Sequence, residues 1–505
     1  MANEVGTASN LEDLFGKIVS FLTTNAALVA ASQQWQVLRQ YRDNVAGIST
    51  NLVENATYAN RRILHSFRYE PRSIGSNISD NTTSGSTTCT SYAAGTSQIA
   101  ITLKAAKAIA TVRMQAANDG TGTSGMLQNF RLQYSDDNST WTTALTVNDN
   151  PTYLMHQTRD FPVPGTPGAH LYWRIIIDRK QDGATTGSVY WKCLLLLDAS
   201  GDVANHFGSE VLLKATGTSG ADTIYTGIRS EYDAANGWYN LFLNGYTGYD
   251  PNETSFFNQP GALNNWSAVT PLDVPMVPCW NSAMPYWFRA NGRSFSFGVK
   301  VSTSFEGGYL GFILPYATPS QYPYPLAVGG SLIPQSSDRS TPWRYSYAHY
   351  RHSVFPIPAS WSSNASLQAA GLYLRLPDGT WNNFGQRYDT SGTNAIIEMT
   401  QAVSSPFARA GLRAGVWPTS VRNVGASAPR RDYREVLGGG YLLQPLIMHQ
   451  RQPTDAVWGE LEGCMAISGF SNAAENTTTF AGKNYVIFQN VTRTEAHEYW
   501  AMALD

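Results

Sequence analysis

The chain has 505 residues, which is enough for two to four domains with cores of their own. Its formal net charge is −2 and its 35 Lys and Arg residues are scattered, so the sequence lacks the basic stripe of a protein that binds nucleic acid or an anionic membrane. Only 14% of the residues are charged and 12% are aromatic, while 43 glycines and 25 prolines are spread along the chain, a profile that predicts a mostly β protein.

The N-terminal segment, residues 1–71, is predicted to be a helical docking segment. Ser9 and Glu12 have the spacing of a capping box, and apolar residues follow at helical spacing. A second helix is predicted over residues 26–42. Two apolar helices need a cover, which a helical hairpin, the following β domain or a partner subunit would supply. The candidate assembly helix is represented by four apolar residues: Leu14, Ile18, Trp35 and Leu38.

Neither a targeting segment nor a membrane span is predicted. The N-terminal stretch MANEVGTASNLEDLF has acidic residues where a signal peptide has basic ones, and the apolar runs are shorter than the roughly 20 residues that cross a bilayer. We therefore expect a soluble protein that is made in the cytoplasm of the host cell. The cysteines lack CxxC spacing and are expected to be buried free thiols: Cys89, Cys193, Cys279 and Cys464.

Residues 72–84 are rich in Ser, Thr, Gly and Asn, which predicts a linker into a β-sandwich over residues 85–204. Apolar residues alternate with a period of two in the sandwich segment, and turn signals separate the alternating runs. Short strands at this spacing are typical of an antiparallel sandwich or jelly roll. The predicted strands lie near residues 99–103, 108–114, 130–134, 141–147, 171–177 and 189–197.

Two motifs in this sandwich resemble the discoidin-like, galactose-binding jelly roll. They are FRLQYSDDNSTWTTAL and the later YWRIIID. The resemblance implies that ligand-binding loops lie at one end of the sandwich. Asp136, Asp137 and Asn138 lie in the loop of the first motif and are candidates for binding a ligand or calcium. The residue types favour a simpler alternative, a solvated turn whose carboxylates accept hydrogen bonds from backbone amides.

Residues 205–505 are predicted to form one or two further β-sandwich domains. Several stretches there resemble structural proteins of the baseplate or tail tip of tailed bacteriophages: YTGIRSEYDAANGWYNLFLNGYTGY, YPYPLAVGGS, YLRLPDGTW and GKNYVIFQNVTRTEAHEYWAMALD. The resemblance implies a virion protein at the tail end, assembled with other tail or baseplate proteins. It also implies a homo-oligomer, with a trimer favoured.

The sequence contains no phosphate-binding loop, HExxH zinc motif or GxSxG nucleophile elbow. His349 and His352 lack an evident third metal ligand and lie among tyrosines, which favours packing. Four carboxylates could supply the acid pair of a glycoside hydrolase, but their turn contexts make them poor candidates: Glu306, Asp338, Asp378 and Glu398. We predict no catalytic residue, metal or cofactor.

Aromatic residues beside Pro and Gly in the C-terminal half are the remaining candidates. Such residues stack on sugar rings, anchor subunit interfaces or cover the sheets of their own domain. The candidate ligand or interface residues are Trp266, Trp280, Trp287, Tyr322 and Tyr324.

These observations predict a non-enzymatic structural subunit of a phage baseplate or tail tip, which carries fibres or contacts the host. The alternative is a carbohydrate-binding host-receptor protein, with a polysaccharide-cleaving tailspike as its weaker form. Its partner would be a host-surface glycan. A free-standing bacterial lectin is disfavoured because the sequence shows no secretion signal.

Overall fold

The fold is described from a computed structural model for the following residues: 1–50, 53–54, 87–115, 126–154, 157–165, 167–184, 186–191, 193–199, 204–205, 208–233, 238–251, 253, 256–257, 259–263, 274–331, 371–384, 396–397, 413–417, 422–423, 440–452, 456–489 and 499–505. Antiparallel sheets dominate this part of the chain, which confirms the predicted mainly β fold class.

The N-terminal elements are the strand β1 (Ala2–Ala8), the helices α1 (Leu11–Thr24) and α2 (Ala26–Ala30), and the strand β2 (Gln36–Asp43). The next strands are β3 (Val45–Thr50), β4 (Val53–Glu54), β5 (Thr87–Ala93), β6 (Gln98–Lys107), β7 (Thr111–Gln115), β8 (Leu127–Ser135), β9 (Thr142–Val147), β10 (Thr158–Pro162), β11 (His170–Lys180), β12 (Thr186–Trp191) and β13 (Cys193–Leu197).

The remaining strands are β14 (Ala204–Asn205), β15 (Glu210–Ala215), β16 (Ile224–Asp233), β17 (Trp238–Tyr246), β18 (Met276–Cys279), β19 (Met284–Ala290), β20 (Ser294–Val301), β21 (Ser304–Phe312), β22 (Leu314–Pro315), β23 (Leu326–Gly330), β24 (Gly371–Arg375), β25 (Trp381–Asn383), β26 (Ile396–Ile397), β27 (Arg413–Trp417), β28 (Arg422–Asn423), β29 (Gln444–Gln452), β30 (Ala456–Ile467), β31 (Thr477–Phe480), β32 (Lys483–Gln489) and β33 (Tyr499–Ala503).

The first helix begins one residue later than the predicted capping box implies. Asn10 is the N-cap, and its side-chain oxygen accepts a hydrogen bond from the Asp13 amide at 2.9 Å. The Asp13 carboxylate in turn accepts from the Ser9 amide at 2.7 Å. Glu12 therefore does not take the capping role that the sequence predicted, and its carboxylate accepts a hydrogen bond from the Ser209 hydroxyl at 2.6 Å.

By length and composition, Leu11–Ala30 is apolar enough to cross a membrane. In the fold, however, α1 packs against β16, β17 and β19, and its apolar side chains are buried with theirs in one core cluster. The helix therefore covers the sheets of its own chain.

The predicted second helix is wrong for most of its length, because α2 ends at Ala30 and β2 occupies Gln36–Asp43. β2 pairs antiparallel with β15, so that Tyr41 lies opposite Glu210. This segment forms a strand because it pairs with β15, a contact that its own sequence does not specify.

Three stacked sheets form what we call the three-layer body. The first sheet has the strand order β14-β2-β15-β16-β17-β18, and the central sheet has the order β1-β19-β20-β21-β23-β24-β25. The third sheet has the order β27-β29-β30-β33-β32-β31, with β22 paired to β30. All the pairings within these sheets are antiparallel except that of β14 with β2.

The central sheet is buried on both faces. On β21, Leu310 belongs to the core cluster that contains Leu241 of the first sheet. Its neighbour Tyr309 points the other way and belongs to the cluster that contains Phe488 of the third sheet. Both faces of the strand therefore need apolar or small residues, and eight of its nine residues are buried.

A separate sandwich is built from β3 to β13. Its five-stranded sheet has the order β3-β6-β11-β8-β9, and three-stranded sheets of order β10-β7-β13 and β12-β5-β4 complete it. The predicted alternation is confirmed on β6, β8 and β11, whose inward side chains lie in one buried cluster: Ile99, Ile101, Leu103, Phe130, Leu132, Trp173, Ile175 and Ile177. The prediction of one alternating run over residues 189–197 is wrong, because β12 ends at Trp191, and on β13 Leu194 and Leu196 enter this cluster whereas Leu195 and Leu197 lie outside it.

The sandwich is inserted between two adjacent strands of the body, since β2 precedes it, β15 follows it, and the two are paired. The predicted N-terminal helical segment is wrong at β1, β2, β3 and β4, which are strands. The sandwich also begins earlier than predicted, because β3 pairs with β6. Tyr41 packs against Leu195 and Leu197 where the two regions meet.

Candidate functional site

The two ends of the sandwich differ in their relation to the body. The chain enters at the start of β3 and leaves at the end of β13, and both points lie at the end that also holds the β8–β9 loop. We call this the junction end. The opposite end, the free end, holds the turns at residues 93–98 and 180–186 and the loop at residues 148–157.

The predicted ligand loop, Asp136 to Asn138, lies at the junction end. The Asp137 carboxylate accepts hydrogen bonds from the amides of Ser139 at 2.8 Å and Thr140 at 2.7 Å, and from the hydroxyls of Ser135 and Thr140. These bonds, that of the Thr140 amide foremost, hold the pKa of Asp137 well below its usual range. The alternative that the residue types favoured, a carboxylate-capped turn, therefore describes this loop.

Asn138 adopts a left-handed backbone with a φ of 58°, which turns the chain back toward β9. The neighbouring Asp136 carboxylate lies 2.8 Å from His170 Nδ1. The His170 ring stacks on Tyr134 with 3.9 Å between the ring centroids. Two of the three predicted residues thus serve the local structure of the loop, and the third meets a histidine that the sequence interpretation did not connect with it.

At the free end, Arg159 holds the loop at residues 148–157 in place. Its guanidinium donates to the Asn150 side chain at 2.7 Å, to the Thr152 carbonyl at 2.9 Å and to the Gln157 side chain at 3.0 Å. It also donates to the Pro151 carbonyl. One planar cation thus occupies the concave side of the loop and fixes its backbone.

The same loop is tied to the neighbouring turn and to the core. Gln181 donates to the Asn150 carbonyl at 3.1 Å and accepts from the Tyr153 amide at 3.1 Å. Tyr153 is buried, its ring lies 4.3 Å from the Arg159 guanidinium carbon, and burial raises its pKa to about 12. The loop is therefore preorganised.

The apex of the loop is exposed. Leu154 is 73% exposed, the highest value among the large apolar residues that stand out from the described surface. A rigid apolar apex beside the polar groups of Gln157 and Gln181 has the composition of a small ligand surface. The sequence interpretation missed these residues, although the Asn, Asp and Pro of NDNPTYLMHQTRD mark a loop.

The five predicted aromatic candidates do not share one environment. Trp287, Tyr322 and Tyr324 pack within the body, where the Tyr324 hydroxyl donates to the Tyr246 carbonyl at 2.7 Å and the Tyr322 hydroxyl donates to the Arg375 carbonyl. Trp280 is partly exposed and its indole N–H donates to the Ala283 carbonyl at 3.2 Å. Trp266 lies outside the described residues.

The candidate assembly residues lie inside their own chain. Leu14, Ile18 and Trp35 are buried in the core that the first and central sheets share, and Leu38 packs against that core while partly buried. The Trp35 indole N–H donates to the Asn291 carbonyl at 2.9 Å. These four side chains therefore hold the N-terminal elements to the body.

Among the weighed carboxylates, Asp378 forms the expected turn, since it accepts from the Thr380 amide at 3.0 Å. The turn context proposed for Glu306 is wrong, because this residue is buried in β21. Asp338, Glu398, His349 and His352 lie outside the described residues. Within the part of the chain that the structure describes, no group of three His, Cys, Asp or Glu side chains is placed to hold a metal.

Comparison with known families identifies the sandwich. Residues 66–189 match the family model of the F5/8 type C domain. The chain contains a discoidin-like domain. The resemblance of the motifs to this fold is therefore confirmed for the domain. The match begins six residues before the predicted linker, which starts at residue 72, and ends within β12.

The chain is similar to several solved structures, at identities that show the fold alone. The family 32 carbohydrate-binding module from Streptococcus pneumoniae EndoD is 15% identical, with 32% of this chain and 95% of that chain covered and a TM-score of 0.20. The CBM62 module from Clostridium thermocellum Xyl5A is 12% identical, with coverage of 32% and 99% and a TM-score of 0.21. Discoidin II of Dictyostelium discoideum is 14% identical, with coverage of 29% and 54% and a TM-score of 0.21. No curated protein sequence matches the chain.

Proposed function

We propose that the protein binds carbohydrate without cleaving it, and that the glycan contacts the free end of its discoidin-like domain. The observation that carries the proposal is the segment at residues 148–154, which Arg159 and Gln181 hold by hydrogen bonds while Leu154 stays exposed. A preorganised loop loses little conformational entropy when a ligand binds, so weak sugar contacts give a measurable affinity.

The connections between the domain and the body also favour the free end as the surface that binds the glycan. The junction end is occupied by the chain connections and by contacts such as Lys104 over the Tyr232 ring at 5.9 Å. The free end carries no chain connection to the body, so its loops are the ones that can meet a large polymer. Proteins similar to this domain include carbohydrate-binding modules, such as the one solved with 4,5-unsaturated mannuronic acid.

The place of the protein in a phage particle stays a prediction from the sequence resemblance, as do its tail partners, its location at the tail end of the virion and its trimeric state. We propose that the two ideas combine. The three-layer body would be the part that is built into the tail, and the inserted domain would contact a host-surface glycan. Immunogold labelling of intact particles, with the label at the tail end, is the measurement that checks this placement.

Glycan-array binding of the full chain tests carbohydrate binding. We expect a small set of glycans to bind, and we expect Leu154→Asp and Arg159→Ala each to weaken the best of them by about tenfold or more, which corresponds to roughly 1.4 kcal/mol. Asp136→Ala, at the junction end of the same domain, is the matched control and should leave the affinity unchanged. Binding that is lost in Asp136→Ala but kept in the free-end variants contradicts the proposed site, and a chain that binds no glycan contradicts the function.

A further inference from the structure

The strand β1 forms an edge of the central sheet. It pairs with β19 over seven residues, from Ala2 opposite Ala290 to Ala8 opposite Met284, without a register shift. The sheet order places no described strand on its other side. Among the described strands, none pairs with the backbone amides and carbonyls that point to that side, which leaves this edge as the place where a further strand can add.

Natural edge strands are protected by shortness, by Pro or Lys, or by a bulge. Every other edge strand in the described sheets has two to six residues. Some of these also carry Pro, as β10 and β18 do, or pair with a register shift, as β3, β9 and β27 do. β1 is the longest of them, and its sequence ANEVGTA contains neither Lys nor Pro.

The side chains of β1 distinguish its two faces. Glu4 points to the core side, where its carboxylate accepts a hydrogen bond from the Tyr286 hydroxyl at 2.7 Å. Asn3, Val5 and Thr7 point to the other side and are exposed, and Val5 is 57% exposed. Val5 lies at the midpoint of a regular edge strand, and a paired strand would place a cross-strand side chain next to it.

We propose that β1 pairs antiparallel with β1 of a second copy of this chain, about a two-fold axis at Val5. This register matches all seven residues, with Val5 opposite Val5, Asn3 opposite Thr7 and Glu4 opposite Gly6. A register centred on Glu4 would place two carboxylates against each other, which is unfavourable. The chosen register separates these charges, buries both Val5 side chains and joins the two central sheets into one.

Disulfide trapping in the full chain tests the register. Paired residues of antiparallel strands have Cα atoms about 4.5–5.5 Å apart, which is within the range that a disulfide spans. We expect Val5→Cys to give a covalent dimer under mild oxidation. Val29→Cys, at a residue that is 47% exposed on α2, is the control and should stay monomeric. Because the Val29→Cys variant keeps the native cysteines, it also shows whether those cysteines alone give a cross-link.

Light scattering after size exclusion tests the dimer itself. The wild-type chain should have twice the monomer mass, in place of the trimer that the sequence resemblance implies. Val5→Lys should raise the dissociation constant by about tenfold or more because two ammonium groups meet at the axis. Thermal unfolding checks that the variant is folded. A monomeric wild-type chain, an oligomer whose mass Val5→Lys does not change, or cross-linking of Val5→Cys no faster than of Val29→Cys overturns the proposal.

Discussion

The inserted sandwich and the three-layer body solve the burial problem in different ways. Each sandwich strand has one face in the core, so apolar and polar residues alternate, as Ile99, Ile101 and Leu103 do on β6. The central sheet of the body has a core on each face, so β21 is buried at nearly every position. The comparison teaches that one covered face leaves a readable period of two in the sequence, whereas two covered faces erase it.

Deletion of the inserted sandwich should have the largest effect, and it tests whether the body folds without the sandwich. The pairing of Tyr41 with Glu210 places residue 43 opposite residue 208, so an Asn-Gly turn can replace residues 44–207 and close β2 and β15 as a hairpin. This change removes the sandwich together with the two-residue strand β14. We expect the shortened chain to keep the body's cooperative urea transition and to lose glycan binding entirely. A shortened chain that is soluble but lacks a cooperative transition would show that the body depends on the sandwich.

Loss of a buried ion pair should be the next largest effect. The Arg289 guanidinium, which is 2% exposed in β19, lies 3.3 Å from the Glu462 carboxylate of β30 and links the central and third sheets. Arg289→Ala leaves that carboxylate without its main cation and should destabilise the body by about 3–5 kcal/mol in urea unfolding. The exposed pair of Arg113 and Asp160 in the sandwich is the control, and Arg113→Ala should cost about 1 kcal/mol or less.

Overpacking of the central sheet should destabilise the body less than loss of the buried ion pair does. A Cβ atom at Gly308 would lie 2.4 Å from Phe297 Cε1 and 2.8 Å from Leu243 Cδ1. Gly308→Ala should therefore destabilise the body by about 1–3 kcal/mol. Gly168→Ala in the sandwich is the matched change, because its Cβ atom would meet only His170 Nε2 at 3.8 Å, and equal losses from the two variants would contradict the difference in packing.

Acid titration of the Asp137 turn should have the smallest effect. The pKa of this carboxyl is depressed in the folded state, so its stabilising contribution is present above the ordinary Asp pKa and is lost as the pH falls through the folded value. In carbon-detected NMR we expect Asp137 to stay ionised after ordinary Asp side chains have protonated. Protonation together with those side chains would show that the amides of Ser139 and Thr140 do not hold the carboxylate.

The fold class, the sandwich strands and the β8–β9 hairpin could be predicted because local alternation and turn residues specify them. The strand β2 could not, because Trp35 and Leu38 also fit a helical spacing and the choice depends on β15, far along the chain. The aromatic candidates failed for a related reason. Tyr322 and Tyr324 lie in a loop rich in Pro, but that loop folds back onto the body and their hydroxyls find backbone carbonyls there.

The candidate site was harder to predict than the fold. Asp136, Asp137 and Asn138 attracted attention as a polar loop, yet the sequence does not say at which end of a sandwich a loop lies. The insertion between β2 and β15 decides that, and it leaves the loop held by Arg159 at the free end. The link between Arg159 and Asn150 spans nine positions of an irregular loop, which no periodic pattern reveals.

Hydrogen–deuterium exchange of the full chain, with and without the best glycan from the array, tests the central claim most directly. Binding at the free end should slow exchange in residues 148–157 and in the adjacent turns, and should leave residues 135–141 and the three-layer body unchanged. Slowed exchange confined to residues 135–141 or to the body would contradict the account.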